Sequence, residues 1–92
     1  MKVDLSEKLL SLEGDELFEG QSAGRVLARY LMDISTKEPL MVFKVAMALL
    51  DDKEIELKKE EYNLIHTIVK TGNLSNLLKA RILTQLEKGK DA

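Results

Sequence analysis

The sequence predicts a mainly helical α+β domain, with about four helices around a central apolar helix and a small β-hairpin at the N-terminal end. Three observations lead there. Apolar residues recur at helical spacing over three separate stretches, an almost unbroken apolar run fills residues 40–50, and the first residues alternate around a glycine turn.

In residues 1–20, Met1, Val3 and Leu5 alternate with Lys2 and Asp4, and Leu10 alternates with Leu12 across Ser11. The turn residues Glu13-Gly14-Asp15 follow, then Leu17-Phe18 and a stop at Gly20. Period-two alternation about a glycine turn favours a hairpin. The same residues also fit a short helix begun by Asp4 or Ser6, with Leu5, Leu9 and Leu12 on one face.

Ser22 is placed to cap a helix over about 23–34. Ala23, Val26, Leu27, Tyr30, Leu31 and Ile34 form its apolar stripe, and Arg25, Arg29 and Asp33 lie opposite. Met32 falls in the middle of that polar face. Ser35-Thr36-Lys37-Glu38 has capping-box spacing, and Pro39 suits a first helical turn. The next helix then runs to about Leu50, because Asp51 and Asp52 oppose the negative end of its dipole.

From Leu40 to Leu50 only Lys44 is polar. A helix apolar all round must be covered on every side. The other helices and the hairpin either enclose it or leave part of it for a second subunit. Glu54-Ile55-Glu56-Leu57 reads as one short strand that pairs with the N-terminal hairpin. A third helix spans about 59–71, with Tyr62, Ile65, Ile68 and Val69 inward and His66 facing water. Gly72 is expected to end it in a left-handed conformation. Asn73 or Ser75 begins a fourth helix with the stripe Leu74, Leu78, Ile82, Leu83 and Leu86, closed by Gly89. Leu77 lies off that stripe. The division is thus a hairpin region at 1–20, a helical region at 21–88 and a frayed tail at 89–92.

The 92 residues fit one domain, which buries roughly two-thirds of its unfolded surface and so forms a core without staples. The absence of cysteine excludes disulfides, thiolate metal sites and cysteine nucleophiles, and fits a reducing cytoplasm. Fourteen basic and sixteen acidic side chains leave a formal charge of −2, which weighs against a phosphate-driven nucleic-acid partner. The apolar run falls far short of the ~20 residues that span a bilayer. Acids among the first residues do not suit a signal peptide. The expectation is a cytoplasmic protein with no membrane association.

Catalytic and metal-binding patterns are weak. His66 is the only histidine, and without cysteine it does not make a zinc site. It reads as a solvated surface residue. The carboxylates Asp51-Asp52-Glu54-Glu56 and Glu60-Glu61 lack calcium-loop spacing and read as a solvated turn and a helix N-terminus. Ala23-Gly24-Arg25 is no phosphate loop. No cofactor is implied, and no enzyme.

Two binding readings remain. The segment from Leu64 to Ile82 has the outline of a helix-turn-helix, with Asn76, Lys79, Arg81 and Gln85 as candidate DNA contacts. Against it, bulky Ile68 stands where a small residue is expected, and Thr67 and Arg81 occupy positions that normally pack inward. The stronger reading is a protein-binding surface drawn from Met32, Met41, Phe43, Met47 and Leu77, because methionine suits adaptable apolar contacts.

The opening Met-Lys-Val-Asp-Leu, with Leu10-Ser-Leu-Glu-Gly14 after it, resembles small uncharacterised proteins encoded by tailed phages and prophages. Glu56-Leu57 and Glu61-Tyr-Asn-Leu-Ile65 extend the likeness to about half the chain. This sequence lacks the glycine-rich approach to the last helix found in some of those proteins. The resemblance carries no catalytic motif and implies an accessory or assembly protein that acts by binding. The sequence therefore points to a small non-enzymatic interaction module, self-associating or docked on another protein, with a DNA-binding regulator as the alternative.

Overall fold

The computed structural model describes residues 1–51 and 54–88. In chain order it contains β1 (Lys2–Val3), α1 (Ala23–Asp33), α2 (Pro39–Leu49), β2 (Ile55–Glu56), α3 (Lys59–Thr71) and α4 (Asn76–Lys88). The architecture is mainly α, with one antiparallel pair of strands at the N-terminal end.

That antiparallel pair differs from a local hairpin. β1 pairs with β2, in the register Lys2 to Glu56 and Val3 to Ile55, and the Leu57 N–H donates to the Met1 carbonyl at 2.8 Å. The glycine turn exists as well, but it closes on a single bridge between Leu10 and Glu16. There Ser11 N–H donates to Asp15 O at 2.8 Å, and Gly14 takes the positive φ of 94° that this turn needs. The short helix over 4–12 does not form. Its backbone is used elsewhere, because the Leu5 and Glu7 carbonyls accept from Gly24 and Ala23, both at 2.8 Å. Those two N–H groups open α1 and have no partner inside the helix, so the N-terminal segment satisfies them.

α1 begins where Ser22 predicts, with its Oγ accepting from Arg25 N–H at 3.2 Å. Leu27, Ala28 and Leu31 are buried along its inner stripe, and α1 packs most extensively on α2. The expected capping box before α2 is absent. Glu38 is the N-cap, Pro39 is the first helical residue, and Glu38 N–H donates to Thr36 Oγ1 at 3.3 Å. Proline disfavours a helical conformation in the residue before it, so the helix cannot start at Thr36.

α3 has half of a capping box that the sequence did not signal. Glu61, on the third helical position, accepts from Lys58 N–H at 2.8 Å, while the Lys58 side chain has no acceptor to return the bond. Gly72 follows α3 in an extended conformation (φ −78°, ψ −176°), so the left-handed cap is corrected. Its smallness serves a different purpose. A β-carbon there would stand 2.8 Å from the Ile68 carbonyl oxygen and closer still to the Tyr30 hydroxyl. Tyr30 Oη in turn accepts from Asn73 N–H at 3.3 Å, fixing the α3–α4 connection to α1. Ser75, rather than Asn73, caps α4 through Leu78 N–H. Gly89, the tail at 89–92 and Asp52 lie outside the described residues.

One core joins these parts. Leu27 and Leu31 of α1, Val42 of α2, Ile65 and Val69 of α3, Ile82 and Leu86 of α4, and Val3 and Leu9 are its most deeply buried members.

Candidate interaction surface

α2 has two faces, and the molecule covers only one of them. Val42, Val45, Ala46 and Leu49 are buried against the rest of the fold. Leu40, Phe43, Met47 and Leu50 recur at helical spacing on the opposite side and remain exposed at 84%, 52%, 52% and 40%. Of the two arrangements open to this helix, the structure adopts the one that leaves a face bare.

Met32 of α1, 45% exposed, joins that face. It lines a groove of about 260 Å³ together with Phe43, Met47 and Leu50, and Arg29 and Asp33 stand on the same groove's wall. On its other side Met32 lines a second groove, of about 480 Å³, with Pro39, Leu40 and Phe43. The result is a continuous apolar strip along the α1–α2 seam.

The candidate partner residues therefore separate. Met32, Phe43 and Met47 come together. Met41 is half-buried on α2, and Leu77 is half-buried on α4 and lines neither groove. Sequence reasoning missed Leu40 and Leu50. The signal was Lys44, one turn from both Leu40 and Met47, which marks the outward side of an otherwise uniform helix. Its ammonium lies 3.8 Å from Glu61 Oε2 and remains largely exposed.

The DNA-contact candidates are divided differently. Asn76 is exposed at the start of α4 and Lys79 is half-buried. Arg81 donates from Nε to Leu10 O at 3.1 Å and from Nη2 to Ser11 O at 2.8 Å, tying the glycine turn to α4. Gln85 is buried. Two of the four side chains thus serve the fold.

His66 is half-buried rather than freely solvated. Its Nε2 sits 3.0 Å from Glu87 Oε2, linking α3 to α4, and its ring lies 5.8 Å from that of Tyr62. Among the described residues, no group of three or more His, Asp or Glu is arranged to hold a metal ion. No helix of the described residues is long and apolar enough to cross a membrane. What the α1–α2 seam offers chemically is exposed apolar surface carrying two flexible thioethers and one aromatic ring. Comparison with protein-family models, curated proteins and solved structures returns no match.

Proposed function

We propose that this protein is a small interaction or assembly module that docks a protein partner on the strip formed by Met32, Leu40, Phe43, Met47 and Leu50. The observation that carries this reading is the bare face of α2. These five side chains are contiguous through two shared grooves, whereas exposed apolar residues of no consequence are scattered singly. Burying Phe43 and the two methionines favours a complex by removing apolar area from water. The resemblance of the N-terminal residues to small phage-encoded proteins points the same way, since accessory and assembly proteins act by binding.

A photo-crosslinking residue placed at Phe43 in intact cells tests the reading. The expected result is one discrete adduct at that position, none from the same residue at exposed Thr84, and loss of the adduct when Met32→Glu is added. Absence of any adduct at position 43 contradicts it.

A further inference from the structure

The rim of the apolar strip carries information about what covers it. Arg29 and Asp33 stand one helical turn apart on the wall of the groove that Met32 shares with Phe43 and Met47. Lys37 and Glu38 flank the Leu40 end and are both exposed, and exposed Lys44 and Asp51 follow along the α2 side. Among the described residues these six rim side chains comprise three of each sign, so they carry no net charge between them. A strongly acidic or basic partner gains nothing from such a border. A surface carrying the same alternation gains complementary pairs along its length.

The size of the patch points to the same occupant. Five large apolar side chains, each exposed at between 40% and 84%, form a patch on the order of the apolar part of the ~800 Å² that each partner contributes to an interface of standard size. A second copy brings an equal apolar area to meet it. Phe43 and Met47 lie in the middle of the strip, between Leu40 at one end and Leu50 at the other, and so stand nearest the axis of a symmetric contact.

Resting on the docking role proposed above, we infer that the partner is a second copy of this chain, joined face to face about a twofold axis with the α1–α2 seam of each subunit buried. Such a contact is isologous: each strip covers the other, no equivalent surface is left over, and assembly stops at two.

Sedimentation equilibrium on the full chain, from about 1 μM to 1 mM, tests this. The expected weight-average mass rises from 10.4 kDa to twice that value and then stays level. Phe43→Glu weakens the dimer by about 30-fold or more, the factor expected when a central apolar anchor is lost. Met47→Lys acts in the same direction. Both positions are half exposed in the single chain, so circular dichroism and the melting transition are expected to show a folded subunit in each variant. Leu12→Glu, at a more exposed apolar site on the glycine turn, leaves dimerisation unchanged. A mass of 10.4 kDa throughout, together with a crosslink from position 43 to a different protein, overturns the second copy and leaves the docking role standing. A dimer that survives both Phe43→Glu and Met47→Lys overturns the placement of the interface on this seam. A mass that climbs past two chains without levelling overturns the twofold closure.

Discussion

Tyr30 and Gly72 are 42 positions apart, yet each constrains what the other can be. The Tyr30 hydroxyl occupies the space that a side chain at 72 would need, and it accepts the Asn73 N–H. Gly72→Ala is therefore expected to destabilise the chain by about 1–3 kcal/mol, as overpacking generally does. A denaturation midpoint measures the loss, and adding Tyr30→Phe should recover part of it. The helix stop at Gly72 was legible in the sequence. The reason for glycine was not, because a glycine that ends a helix for conformational freedom and one that makes room for a distant ring look identical in a string of letters.

At Asp4 the physics is local. The Ser6 hydroxyl donates to Asp4 Oδ1 at 2.6 Å and the Ser6 N–H donates to the same oxygen at 2.9 Å. Those two bonds hold the Asp4 carboxyl below its ordinary value. A folded-state pKa below the unfolded one stabilises at neutral pH, and the contribution is lost as pH falls through the folded pKa. Asp4 is exposed, so the effect is small. In an NMR titration, Ser6→Ala should move the Asp4 midpoint upward, and the acid limb of that variant's stability curve should be shallower.

At the scale of elements, the inward faces of α1 and α3 were legible in the sequence, and that of α2 was not, although its end near Leu50 was. α1 has one apolar stripe, a serine at its N-cap and charges opposite, so periodicity fixes both its length and its inward face. α3 combines a similar stripe with glycine at its end. α2 offers no such contrast, since nearly every position from Leu40 to Leu50 satisfies a buried environment and only Lys44 breaks the tie. Which side faces inward is decided by α1 and α3, elements outside the run itself. Paired substitutions expose that asymmetry. Leu49→Ala, on the inner face, should cost about 2–5 kcal/mol of stability. Phe43→Ser, on the outer face, should cost the isolated subunit far less, within about 0.5 kcal/mol as surface changes usually do. Equal losses would show that both faces are packed.

The N-terminal twenty residues make a related point. Their alternation is genuine, but its two halves serve different partners: Val3 pairs with Ile55, whereas Leu10 pairs with Glu16 across the glycine turn. Alternation reports that a backbone is extended. It does not name the strand beside it.

For the whole molecule, the division of labour runs along α2. Its inner face, with α1, α3, α4 and the N-terminal segment, completes one core. Its outer face, with Met32, exceeds what a chain of this size covers by itself. The candidate site was legible in its chemistry, as Met32, Phe43 and Met47, and illegible in its extent. Leu40 and Leu50 join it only once the inward side of the helix is known, while Met41 and Leu77 turn out to be half-buried away from the strip.

The most direct measurement is paramagnetic relaxation of side-chain methyl signals by a soluble agent, recorded on dilute and concentrated samples of the intact chain. A two-faced α2 requires strong relaxation of the Met32, Leu40 and Met47 methyls in dilute solution. It also requires weak relaxation of Val42, Val45 and Leu49 at every concentration, with protection of the first group as the strip is covered. Val42 and Val45 relaxed as strongly as Met47 in a folded subunit would contradict the division of this helix on which both the fold and its proposed role depend.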